Sequence, residues 1–260
     1  MKLTKGFAAL ALLAVATAAN AGEFSATITG TTDYDFRGVT QSAQNPAIQG
    51  SVDFAADTGF YAGIWASNID FGSGGPNTEV DWYAGWGGGE DLTWDLGITY
   101  YTYISPGSSN YPEAHVGLGY KWIDVKAWYG WDYAGYNGTE EHYYEGNVTY
   151  PLPAGFGLTG HIGYSNGSGI KAGSWNYDPK TDDFVSQSSY MDWSVGVTYT
   201  WKHFDMSLKW VDGSDYQTLD HGYYKETSTG DFKQTDVFSS EARAIFQIST
   251  TFPWTDDAEE

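Results

Sequence analysis

The sequence predicts an all-β chain folded as a transmembrane up-and-down antiparallel β-barrel of about twelve strands. Three observations predict it. Twelve segments alternate between an uncharged, largely apolar set of positions and a polar set that carries the acids and bases. The links between segments run short, then long, without exception. Aromatic residues gather at both ends of the segments, as suits rings with one apolar and one wet side.

The first residues, MKLTKGFAALALLAVATAANAG, read as a secretory signal over 1–21. Lys2 and Lys5 give the positive start, positions 7–15 the apolar centre, and Ala19-Asn20-Ala21 the cleavage site. The apolar run is too short to span a bilayer as a helix, and no longer one follows. Residues 22–252 are expected to form the barrel and 253–260 an acidic tail.

The opening segment, "FSATITGTTDYDFRG", places Phe24, Ala26, Ile28, Gly30, Thr32, Tyr34 and Phe36 on one side. Ser25, Thr27, Thr29, Thr31, Asp33, Asp35 and Arg37 fall on the other. The second segment has Ile48, Gly50, Val52 and Phe54 on its apolar side, the third Phe60, Ala62, Ile64 and Ala66. In the third, Tyr61, Trp65 and Ile69 make the opposite side nearly as apolar, which suits packing against a loop folded into the barrel. Val80 to Trp86 and Leu92 to Tyr100 supply the fourth and fifth, Ala114 to Tyr120 and Val125 to Trp131 the sixth and seventh. Tyr144 to Tyr150 and Phe156 to Tyr164 supply the eighth and ninth. Met191 to Trp201, Phe204 to Trp210 and Ala242 to Phe252 complete the set.

The charged partners on these strands are Asp53, Glu79, Asp81, Asp95, Glu113, Asp124, Lys126, Glu145, Asp192, Asp205, Lys209, Glu241 and Arg243. A soluble sandwich also alternates. The links separate the two folds. Those at 55–59, 87–91, 121–123, 151–155 and 202–203 are short; those at 38–46, 70–77, 105–111, 134–140, 165–189 and 213–239 are long. Outer-membrane barrels have tight periplasmic turns and longer external loops, and an even strand number. Phe54, Phe60, Trp86, Trp94, Tyr120, Trp122, Tyr150, Phe156, Trp201, Phe204 and Phe252 form one girdle by the short links. Tyr34, Phe71, Tyr100, Trp131, Tyr144, Tyr164, Met191 and Trp210 form a second by the long ones.

"TTDYDFRGVTQSAQNPAIQGSVDF" (31–54) resembles the opening signature of the TorF-type porins, and "GFYAGIWASNIDF", "EVDWYAGW" and "ARAIFQISTTF" continue the likeness. The resemblance implies a channel in the outer membrane of a Gram-negative bacterium. It brings no solute. The tail "PWTDDAEE" after Phe252 departs from barrels that stop at a terminal aromatic.

Twelve strands about 4.8 Å apart and tilted about 40° set a backbone radius of about 12 Å, enough for a narrow bore. The expected pore lining is Asp33, Asp35, Arg37, Asp53, Glu79, Asp81, Asp95, Glu113, Lys126, Glu145, Asp192, Lys209, Glu241 and Arg243. Acids outnumber bases there, so passive diffusion of small polar solutes with a weak cation preference is expected. Arg37 and Arg243 are the only arginines and fall on the first and last segments, neighbours where a barrel closes. Arg243 paired with Asp33 or Asp35 is one expectation, Arg243 bonded to loop carbonyls the alternative.

With no cysteine, the chain must rely on hydrogen bonding and burial. Its formal charge of −21 argues against nucleic-acid binding. The expected partners are outer-membrane lipid and lipopolysaccharide, the barrel-assembly machinery and small polar solutes. No cofactor motif is present. "GSGGP" lacks a phosphate-loop Lys, "YDPKTDD" (177–183) reads as a solvated acidic loop, and His115, His142, His161, His203 and His221 lack metal-site spacing. Two other functions remain as alternatives. One is a lipid hydrolase built on His142, the histidine with lipid-facing parity, and a rim serine such as Ser189. The other is a receptor or adhesin displaying 165–189 and 213–239.

Overall fold

The computed structural model describes residues 22–72, 74–104, 109–174, 176–178, 181–214, 223–226, 229–230 and 232–254. The signal over 1–21, the end of the tail and His221 lie outside them. Twelve strands close into a barrel in which every pair of neighbours in space is consecutive in sequence except the closing pair, the first and last strands. They are β1 (Glu23–Thr31), β2 (Ala47–Ala55), β3 (Phe60–Asn68), β4 (Thr78–Gly89), β5 (Leu92–Tyr103) and β6 (Tyr111–Tyr120). β7 (Ile123–Trp131), β8 (Glu140–Pro151), β9 (Phe156–Asn166), β10 (Ser189–Trp201), β11 (Phe204–Gly213) and β12 (Arg243–Phe252) follow. β12 returns antiparallel to β1, with Ala26 opposite Phe252 and Thr31 opposite Gln247. Closure leaves no free edge, so the ladder is satisfied all round without a disulfide.

The side-chain alternation has the sense the sequence predicts. Ile28, Val52, Ile64, Trp82, Leu96, Val116, Val125, Ile162, Val195 and Leu208 all point outward and are exposed. An apolar band of this extent is unfavourable in water and suits the hydrocarbon of a bilayer. Rings frame it by the short turns, where Phe24 meets Phe54 at 5.0 Å, Phe60 meets Trp86 at 4.8 Å and Trp122 meets Tyr150 at 5.3 Å. Past the last strand, Trp254 stacks on Phe252 at 5.0 Å and on His203 at 4.9 Å. Tyr100, Tyr144, Tyr164, Met191 and Trp210 are exposed toward the long-loop end.

The opening segment departs from the expected strand. β1 ends at Thr31, and 32–46 turns into the barrel. Inside, Asp35–Phe36 and Val39–Thr40 pair as a small hairpin around Arg37 and Gly38, both with positive φ (53° and 81°). Alternation fails because a turn intervenes: Tyr34, expected in the outer girdle, is buried with Ala47 and Ile69. Phe71, expected in the same girdle, also points inward, meeting Tyr103 at 5.5 Å and Phe238 at 4.5 Å. The apolar inner side of β3 receives this segment, with Tyr34 edge-on to Trp65 at 5.3 Å.

The long loops pack down on the insertion. A short helix, Ser168–Gly173, buries Ile170 against Val39 and Tyr190, with Tyr133 and Phe238 beside them. Thr40 N–H donates to the Ser239 carbonyl at 2.9 Å, and Asp70 N–H to the Gln41 carbonyl at 2.8 Å. No described helix is long and apolar enough to cross a membrane.

Candidate functional site in the lumen

The inserted segment is held by two arginine clamps. Arg243, the first residue of β12, donates through Nε to Asp33 Oδ2 at 2.5 Å and through Nη2 to Asp35 Oδ1 at 2.6 Å. Its Nη1 reaches the carbonyls of Gly38 (3.2 Å) and Glu241 (3.1 Å), so both sequence expectations for this residue hold together. The β1–β12 register extrapolates to put residue 35 level with Arg243. Asp33 also accepts from Thr40 (2.5 Å) and Ser42 (2.9 Å), which fixes the base of the segment.

The second clamp lies at the tip. Arg37 stands on the inserted hairpin, not on the first strand as the alternation predicts. Its Nη1 donates to Glu113 Oε1 at 2.9 Å and Glu141 Oε2 at 2.5 Å, and its Nη2 to Glu113 Oε2 at 2.7 Å. Tyr101 OH donates to the same Glu113 at 3.0 Å. The guanidinium lies over the rings of Phe36 (4.6 Å) and Tyr143 (4.3 Å). Glu113 is on β6 and Glu141 on β8, so a residue carried in from β1 crosses the bore. Gly38 lies so close to β10 that a Cβ on it would sit 2.6 Å from Asp192 Cβ.

This crossing forms a packed septum in the long-loop half of the lumen. Glu79, Tyr101, Tyr111, Glu113, Glu141, Tyr143, Tyr190, Asp192, Val211 and Ile245 are all buried there. Several residues expected to line an open pore are thus covered by the insertion. Glu79 Oε2, Asp81 Oδ1 and Glu141 Oε1 are buried there without a hydrogen-bond partner among the described residues.

Toward the short turns the wall is polar. Asp95 on β5 accepts from Tyr61 OH (2.8 Å) and Lys126 (3.1 Å), and pairs with His115 Nε2 at 2.8 Å. Trp128 Nε1 donates to Glu145 at 2.8 Å, and Asn147 Nδ2 bridges Glu145 (3.1 Å) and Asp124 (3.0 Å). His161 sits between Asn147 Oδ1 at 2.6 Å and Asp192 Oδ1 at 2.7 Å, with Tyr143 OH alongside. Across the bore, Asp53 is bonded by Ser51 (2.7 Å) and Tyr83. Lys209 approaches Asp35 at 3.7 Å.

Of the remaining expectations, Glu241 precedes β12 rather than lying on it, and its N–H donates to Ser239 Oγ at 3.2 Å. His142 packs against Tyr129 on the outer side with the rings tilted, their centroids 5.2 Å apart. Pro179 and Lys180 of the acidic stretch lie outside the described residues. No group of three or more His, Asp or Glu among the described residues is placed to hold a metal. Sequence reasoning missed Glu141. Extending the parity of Glu145 back by two steps through Tyr143 reaches it.

Residues 15–252 match the family described as a bacterial protein of unknown function, Gcw_chp. The chain belongs to this family. No curated protein matches the Gcw_chp chain. Its fold is similar to that of the NanC porin in a rhombohedral crystal form, at 10% identity and a TM-score of 0.51, over 88% of this chain and 99% of that one. A structure from a study of in-meso crystallization of membrane proteins aligns with a TM-score of 0.50 and 12% identity, over 90% and 83% of the two chains. The KdgM porin follows at 0.49 and 8%, over 89% and 99%. At these identities the likeness to NanC is one of fold: the Gcw_chp chain is a closed twelve-strand antiparallel barrel.

Proposed function

We propose that this Gcw_chp protein is an outer-membrane channel of the porin type, passing small polar solutes through a route set by the 32–46 insertion. The observation that carries the reading is the sidedness of the wall. Through the apolar band each strand turns an uncharged side outward and its acids and bases to the bore; the charges of outward parity, Glu140 and Asp212, stand at the long-loop ends of their strands. The resemblance of 31–54 to the TorF-type porins supports the same reading, as does the NanC-like fold. In it the short turns lie in the periplasm and the long loops outside, facing lipopolysaccharide. Residues 1–21 serve export, and the barrel-assembly machinery inserts the folded wall.

Ion preference follows from which charges remain unspent. Arg37 offsets one of the two charges of Glu113 and Glu141, Arg243 and Lys209 together offset Asp33 and Asp35, and Lys126 offsets Asp95. Asp53, Asp124, Glu145 and Asp205 remain, with Glu79 and Asp81 in the septum, so an acidic excess favours cations, though less than the bare count of acids suggests. Purified protein in a planar bilayer under a salt gradient tests both claims. Small conductance steps with a modest cation-directed reversal potential are expected. A silent barrel, in the wild type and after removal of the insertion, contradicts the channel. A clear anion preference contradicts the selectivity.

A further inference from the structure

Where the inserted segment leaves β1, its Asp33, Tyr34 and Asp35 roof a cavity of about 120 Å³ in the seam wall, with Gln49, Trp65, Lys209, Ile245 and Gln247 around it. The five strands that flank it, β3, β2, β1, β12 and β11, are consecutive around the ring. Lys209 keeps 32% of its side chain exposed, so the cavity communicates with water in the bore.

We infer that this cavity is a binding subsite for a small neutral polyol, up to the size of one sugar ring. The chemistry of the lining selects that class. The carboxamides of Gln49 and Gln247 offer both donors and acceptors, and neither has a side-chain hydrogen bond among the described residues. The Lys209 ammonium adds donors, and Asp35 Oδ2, met only at 3.7 Å by Lys209, adds an acceptor. Trp65, half-buried, supplies apolar surface for the C–H face of a ring. The charges cancel, because Arg243 and Lys209 answer Asp33 and Asp35. A neutral, hydroxyl-rich molecule can satisfy all of these groups at once. A full charge on the ligand would enter with no counter-charge left to meet it. The volume is somewhat below the about 150 Å³ of a cavity that takes a benzene ring, so a single ring fits with one edge in the bore.

The inference rests on the channel reading for its route of access, so binding and conductance are measured on the same preparation. Saturation-transfer NMR on the detergent-solubilised full-length barrel uses D-glucose as probe, with D-glucuronate and D-glucosamine as analogues of one shape and opposite charge. Glucose is expected to receive saturation and bind in the millimolar range, with both charged analogues at least fivefold weaker. Gln49→Leu and Gln247→Leu keep shape and remove the amides; each is expected to weaken glucose at least tenfold. Lys209→Met, from the bore-exposed edge, is the second variant should an amide variant not fold, and is expected to weaken glucose severalfold. Absence of glucose transfer, a preference for a charged analogue, or binding unchanged in the folded variants overturns the subsite. Conductance steps with no glucose binding refute the subsite and leave the channel standing. Glucose binding that depends on the two glutamines in a barrel without conductance supports the subsite and refutes the channel.

Discussion

Replacing Arg37 by alanine should unseat the insertion. The guanidinium supplies three hydrogen bonds to two carboxylates, and both glutamates are 0% exposed. Removing one member of a buried ion pair costs about 3–5 kcal/mol, because the charge left behind keeps its desolvation penalty. The Asp33–Arg243 clamp and the closed ring of strand ladders stay in place, so the barrel itself should survive. The loss then falls on the equilibrium between a seated and an unseated segment. A change of about 3 kcal/mol moves that ratio by roughly a hundredfold, since each 1.4 kcal/mol is a factor of about ten. With the tip withdrawn, a bore of about 12 Å backbone radius loses its crossing. Single-channel recording of Arg37→Ala should therefore show severalfold larger or longer openings than wild type. Arg37→Lys keeps the charge but loses the forked geometry, and should fall between them. Unchanged conductance and unchanged thermal stability in Arg37→Ala would refute the septum as the element that limits passage.

Three further outcomes follow from the same geometry. Gly38→Val forces a β-branched residue into φ 81° and drives a Cβ into Asp192, so it should open the channel as Arg37→Ala does with no change in charge, read by the same recordings. Arg243→Glu sets a third carboxylate beside Asp33 and Asp35, and should lower the yield of folded, heat-modifiable barrel on gels; full yield would speak against the seam clamp. Ile162, 54% exposed on the outer side of β9, should cost about 2–4 kcal/mol when changed to Arg near the bilayer midplane, measured by refolding into vesicles. Thr159→Arg, on the inner side of the same strand, should cost far less.

The wall was legible in the sequence because a period of two on both sides of a membrane leaves little freedom. One register satisfies lipid and water together, and a slip of one residue reverses every side chain. The Arg243 pairing was legible for the same reason: closure brings the ends of the wall together at a countable height. The insertion was not. "TTDYDFRG" continues the alternation of β1 as a pattern, yet the strand ends at Thr31, Tyr34 already faces inward, and the Arg37–Gly38 turn with positive φ follows. Nothing local announces that Arg37 will meet Glu113 and Glu141, which are 76 and 104 residues away. The unusually apolar inner side of β3 was the one visible sign that something packs there, and Tyr34 occupies it. The polar array from Asp95 to Asp192 depends on which inward glycines leave room. Gly163 does so under Tyr143, whose hydroxyl lies where a Cβ would fall.

The sidedness of the wall carries all the rest, and the chain's lack of cysteine makes it directly measurable. Single cysteines placed along 157–164 and 194–198, spin-labelled and reconstituted in lipid vesicles, would report contact with oxygen dissolved in lipid or with a water-soluble nickel chelate. Leu158, Gly160, Ile162, Val195 and Val197 should favour oxygen, and Gly157, Thr159, His161, Ser194 and Thr198 the chelate, with a period of two. Uniform accessibility along both strands, or the opposite phase, would contradict a barrel with lipid outside and water within.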